Sequence, residues 1–178
     1  MGSARIATKH LIDLGHNRIA HVTFSPENYF ATQDRHRGYR LALEDAGLTY
    51  DENLVMLGNY SASSGFEAMQ TLLGHRHVPT AVFVGNDTVA IGVMAAIHQA
   101  GLRIPEDIAV VGYDDIPIAA YLNPPLTTVR ISALEQGQKS IAMLEQLMRG
   151  ESVPDGKIEC DSELIVRASC GAQPFRSG

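Results

Sequence analysis

The 178-residue chain contains no tryptophan and only two cysteines. Cys160 and Cys170 form no C-x-x-C motif, and no group of His and Cys has zinc-ligand spacing. A disulfide scaffold and a structural zinc site are therefore excluded, and both thiols read as bland residues near the C-terminus. No apolar run approaches the ~18 residues that a membrane-spanning helix needs. Charged residues are sparse at 19%, and their surplus is acidic, with a formal net charge of -6. That balance argues against nucleic-acid binding by this chain's own surface, because neutralising phosphates needs a basic face. The nearest basic cluster, Arg35-His36-Arg37 with Arg40, points in several directions around a helix and reads as a solvated face.

Catalytic signatures are also missing. There is no G-x-S-x-G elbow, no G-x-x-x-x-G-K-[ST] loop and no H-E-x-x-H. Ser25 has no cue for a base, and the 7 histidines are scattered. Enzyme activity is unsupported, and no pattern asks for a metal or a cofactor. The opening Met1-Gly2-Ser3-Ala4 lacks the basic-then-apolar profile of a signal peptide. Residues 1–3 read as an expression leader joined to a sequence already inside an element, and a cytoplasmic protein is expected.

What the chain does have is 45% hydrophobic residues in a repeated pattern of short apolar strand and amphipathic helix. Ala4, Ala7, Leu11 and Leu14 recur at helical spacing before Gly15, and residues 18–24 (RIAHVTF) follow as a strand. A helix over 33–46 carries Tyr39, Leu43 and Ala46 on one side and closes at Gly47. Residues 54–57 form a short strand. Ser61 or Ser63 caps a helix that buries Phe66, Met69, Leu72 and Leu73. Residues 80–84 (TAVFV) are a continuous β-rich run, as a strand buried on both faces requires. Asn86 or Asp87 opens a helix with Ala90, Val93, Met94 and Ile97 inside, and 107–111 (DIAVV) is the next buried strand. This rhythm predicts an α/β fold, a doubly wound parallel sheet with helices on both faces.

The rhythm changes after Asp115. Asn123-Pro124-Pro125 breaks regular structure, residues 126–131 read as a strand, and Ser132-Ala133-Leu134-Glu135 is a capping box. The helix it opens presents Leu134, Ile141, Leu144 and Leu147/Met148 and ends at Gly150. The turn Pro154-Asp155-Gly156 leads to a last strand over 159–167 and a weakly ordered tail.

In an open parallel sheet, ligands bind beyond the carboxyl ends of the strands. Arg35, Tyr60, Asn86, Asp87 and Asp114 fall there. Asp and Asn hold hydroxyl pairs, Arg donates a rigid fork, and an aromatic ring packs on a ligand's apolar face, which together suit a sugar or another polar metabolite. Plainer readings stand beside this one: Asn86 or Asp87 as a helix N-cap, Asp114-Asp115 as turn residues, Tyr60 as core.

Several blocks occur together in a fixed order: residues 7–22 (ATKHLIDLGHNRIAHV), Arg35-His36-Arg37-Gly38-Tyr39, 85–90 (GNDTVA), 111–115 (VGYDD) and 124–129 (PPLTTV). In this order the chain resembles the lactose/galactose repressor family of bacterial transcription regulators. The resemblance implies a periplasmic-binding-protein-like effector module of type I. Residues 4–130 would form its second lobe, 131–150 a crossing helix that packs on a first lobe, 151–170 a return strand and 171–178 a tail. It further implies that Arg35, Tyr60, Asn86, Asp87 and Asp114 contact a small polar effector, with Ile91 and Leu122 on a homodimer surface. DNA would be bound only through a helix-turn-helix that this sequence does not contain. With half the cleft outside the chain, ligand binding is expected to be weak, and the Leu134/Ile141/Leu144 stripe is expected to lack its partner. The alternative is one lobe of a periplasmic sugar-binding protein that serves a transporter, and an α/β enzyme on a related sheet is a third class.

Overall fold

A computed structural model describes residues 2–26, 28–153 and 161–172. The expected turn Pro154-Asp155-Gly156, Cys160, Met1 and the tail beyond 172 lie outside the described residues. Helices are α1 (Gly2–Asp13), α2 (Phe30–Asp45), α3 (Ala62–Leu73), α4 (Asp87–Gln99) and α5 (Ala133–Met148). Strands are β1 (Ile19–Val22), β2 (Val55–Met56), β3 (Ala81–Val84), β4 (Ala109–Asp114), β5 (Thr127–Ile131) and β6 (Ser162–Ile165). They build one six-stranded sheet in the order β2-β1-β3-β4-β5-β6. The first five run parallel, and β6 returns antiparallel to β5, pairing Thr128 with Ile165 and Arg130 with Glu163.

Successive strand residues face opposite sides of a sheet. In β3, Ala81 and Phe83 therefore join the core under α1 and α2, with Leu11, Tyr39, Val111 and Val129. Val82 and Val84 join the core under α3 and α4, with Met69, Leu72, Val93, Ile97 and Leu126. Both faces of the sheet are covered, as the unbroken apolar runs require. Helices α3 and α4 approach closely: a Cβ on Gly92 would lie 1.7 Å from the Ala62 carbonyl oxygen, and one on Gly65 2.0 Å from that of Val89. Only glycine permits that crossing.

Several local expectations need correction. Leu14 and Ala46 are exposed rather than core-facing, and Ala42 takes the inward position on α2. Both lie just past the last helical residue, where helical spacing no longer sets direction. The β4 strand starts at Ala109 rather than 107, because Asp107 turns back to accept from the Arg103 amide at 2.8 Å. Ser61 is the cap of α3, accepting from the Ser64 amide. Cys170 is buried, with its Sγ accepting from the Thr127 hydroxyl at 3.2 Å.

His21 was not foreseen as core. It is fully buried on β1, stacked on Phe83 at 4.9 Å and Tyr39 at 5.1 Å. Its Nδ1 donates to the Phe83 carbonyl at 3.0 Å, while Nε2 has no partner among the described residues. Burial lowers its pKa to about 3, so the ring is neutral.

Candidate functional site

The parallel strands β1 to β4 bring Phe24, Tyr60, Gly85-Asn86 and Asp114-Asp115 to one margin of the sheet. Arg35, in the second turn of α2, reaches across this margin. One guanidinium nitrogen donates to the Gly85 carbonyl, and another to Asp114 Oδ1 at 3.4 Å. The guanidinium plane lies between the rings of Phe24 (4.2 Å) and Tyr113 (3.7 Å). Two aromatic faces and two acceptors thus fix the fork, leaving it 15% exposed.

Tyr60 and Asp114 come to this corner, and the backbone shows what that takes. Tyr60, Asp114 and Asp115 have φ of 66°, 106° and 54°, in the left-handed region that L side chains disfavour. Such residues cost roughly 1–3 kcal/mol each and cluster at functional sites. The Tyr60 amide donates to the Phe24 carbonyl at 2.7 Å, and its half-exposed ring meets Phe24 and Tyr29 edge-on. Partial burial pushes the Asp114 carboxyl above its ordinary range, against the pull of Arg35. A recess of about 410 Å³ opens beside Arg35 and Asp114, bounded further by Ile116, Ile131, Ala133 and Gln136. The start of α5 therefore forms part of its wall.

Asn86 and Asp87 separate into different roles. Asn86 is the N-cap of α4, its Oδ1 accepting from the Val89 amide at 2.8 Å. Asp87 is fully buried beneath the corner. It accepts from the amides of Tyr113 (2.8 Å) and Ile116 (2.9 Å) and from the Thr128 hydroxyl (2.7 Å). Its carboxylate therefore underpins the Asp114-Asp115 turn and does not line the open recess. Burial raises its pKa to about 6 although all three donors favour the ionised form.

Sequence reasoning missed Phe24 and Tyr113 as the plates on Arg35, although both stand at strand ends. It also missed the partners of Asp115: Arg130 on β5 at 2.7 Å and Arg167 after β6 at 2.6 Å. Of the basic cluster, Arg35 turns inward, Arg37 is exposed, and Arg40 stacks over Tyr50 at 4.7 Å. Ile91 is half-buried on α4, and Leu122 is half-buried against the α3/α4 core. The α5 stripe is bare: no residue of the helix is buried, and Leu134, Ile141, Leu144 and Leu147 are exposed. Among the described residues, no group of three or more His, Cys, Asp or Glu could hold a metal ion, and no helix is long and apolar enough to cross a membrane.

Residues 8–170 match the periplasmic binding protein-like domain family. The chain is 40% identical over 164 residues to the ribose operon repressor of Escherichia coli K12, covering 92% of this chain and 49% of that protein. A solved CelR transcriptional regulator in complex with cellobiose superposes with a TM-score of 0.89 at 37% identity, over 94% of this chain and 51% of the other. A dimeric lac repressor with a C-terminal deletion gives 0.85 at 34% identity, over 94% and 60%. The chain thus spans about half the length of the repressors whose sequences it matches. With a sheet and a sequence that both match those regulators, the chain belongs to the lactose/galactose repressor family, as a part of its periplasmic-binding-protein-like effector domain.

Proposed function

We propose that this chain forms one wall of the effector cleft of a cytoplasmic transcriptional regulator, and that the effector is a sugar or a similar small polar metabolite. The observation that carries the reading is the Arg35–Asp114 pair, held between Phe24 and Tyr113 at the strand ends with Tyr60 alongside. It offers a fixed donor fork and a carboxylate acceptor to one recess, with the half-exposed Tyr60 ring at the same strand ends, a combination that suits a polyhydroxyl ligand. In this reading Arg35, Tyr60, Asn86 and Asp114 meet the effector, and Asp87 holds the turn that presents Asp114. The corner's role is binding, not turnover.

The chain matches only about half of its repressor relatives. DNA recognition and a first lobe accordingly belong to sequence outside it, and α5 is the helix that would pack on that lobe. An effector gripped by both lobes would favour one lobe orientation and so shift the affinity for DNA by linkage. A homodimer would use the α4 face around Ile91 and Leu122.

The direct test is a titration of the chain with ribose and with cellobiose, followed by chemical shifts of the Arg35, Asn86 and Asp114 backbone amides. Weak, saturable shifts confined to this corner are expected for at least one sugar, and Arg35→Met should abolish them. Shifts spread over the surface, or surviving in Arg35→Met, would refute the assignment.

A further inference from the structure

Asp114 and Asp115 are neighbours whose side chains leave the turn in different directions. Asp114 meets Arg35 of α2. Asp115, 7% exposed, receives Arg130 Nε of β5 at 2.7 Å and Arg167 Nη2 at 2.6 Å. The same Arg167 donates to the Leu126 carbonyl at 2.7 Å, and its amide donates to the Thr127 hydroxyl at 2.9 Å. The segment that leaves β6 is therefore bolted to the start of β5 and to the turn at once. β5 leads into α5, so this is where the chain departs from the sheet and returns to it.

The turn between the two side chains has little freedom. Both residues sit at positive φ. The amides of Tyr113 and Ile116, one on each side of the pair, are gripped by the two oxygens of buried Asp87. A Cβ at Gly112 would lie 2.2 Å from that carboxylate, so the grip depends on glycine. With both flanking amides held, a backbone shift at Asp114 must be taken up at Asp115, the next residue. Helix α2 packs chiefly on α1, so the turn supplies a polar link from α2 to β5 and β6.

We propose that Asp115 is a positioning residue that ties the Arg35–Asp114 corner to β5 and β6, so that a change at the corner is felt in the hydrogen bonding of those two strands. If the corner binds effector, as proposed above, this is the route by which occupancy reaches the crossing segments. The coupling itself needs no ligand to be tested.

The experiment is a double-mutant cycle read by amide hydrogen exchange on the 178-residue chain, comparing wild type, Arg35→Met, Asp115→Asn and the double variant. Far-UV circular dichroism of each checks the fold. Arg35→Met should speed exchange in Ser162–Ile165 and at the Arg167 amide by about 5-fold or more, the lower end of ordinary site-to-site coupling. In the Asp115→Asn background the same substitution should add nothing further. Unchanged rates in Arg35→Met, or the same acceleration with and without Asp115, would overturn the proposal. If Asp115→Asn loses its native spectrum, Arg130→Met removes one strand contact at a more exposed position, and Asp114→Asn replaces Arg35→Met at the other end. Both should repeat the non-additivity. Because no sugar is present, a negative result would leave the effector reading intact, and absence of sugar binding would leave this coupling intact.

Discussion

His21 and Asp87 are both fully buried, and their protonation pulls stability in opposite directions. The folded His21 ring titrates at about 3, below its ordinary value, so the unfolded chain binds the extra proton first and stability falls as pH drops below about 6.5. For this group alone the loss between pH 6.5 and pH 4 is about 3 kcal/mol. Asp87 titrates at about 6 when folded, above its ordinary value, so its share of stability instead falls as pH rises from about 4 to 6. Urea denaturation at several pH values in this window should therefore show two opposite changes. His21→Phe should flatten the acid loss or reverse it, and Asp87→Asn should steepen it. Asp87→Asn should also cost about 1–3 kcal/mol near pH 7, because an amide nitrogen would face one of three donors. Parallel pH profiles for the two variants would mean that other groups dominate the acid response.

At the scale of elements, α5 depends on its ends. It has no buried residue, so its stability rests on the Ser132 cap and on the exposed pairs Lys139–Glu135 and Arg149–Glu145. A 16-residue helix without a packed face is marginal in water. Ser132→Ala removes about 1 kcal/mol of capping. Amide protection in α5 should drop several-fold while the melting of the sheet stays unchanged. Equal losses in both would show that α5 is cooperative with the core. Elements of this kind were legible in the sequence because capping residues and helical spacing act locally. Strand residues were legible because β3 and β4 are buried on both faces and so read as unbroken apolar runs. The choice between Asn86 and Asp87 as cap was not legible, since either side chain can accept an amide. It is decided by β4, the turn after it and β5, which deliver three donors to Asp87 from about 26 to 41 residues away along the chain. Arg35 was legible as a candidate, but its two aromatic plates arrive from the segment just after β1 and from β4, a juxtaposition that only the folded sheet creates.

For the whole molecule, the α4 surface and the bare stripe of α5 are two faces that a second copy could meet, and one experiment separates them. Sedimentation across a concentration series should show a dimer if the surface around Ile91 and Leu122 suffices. Ile91→Asp should then weaken it, while Leu144→Asp on α5 should not. The reverse pattern would place association on the bare stripe of α5. A monomer at every concentration would assign assembly to sequence beyond this chain. Either face would be a helical one, and the two margins of the sheet indicate why. β2 is only two residues long, too short to template another chain's backbone, and β6 at the other margin carries the charged Glu163. Among the described residues, neither margin offers a long, uncharged strand for lateral growth of the sheet into fibrils. Crowded molecules should therefore resist polymerising strand on strand, whatever face they meet by.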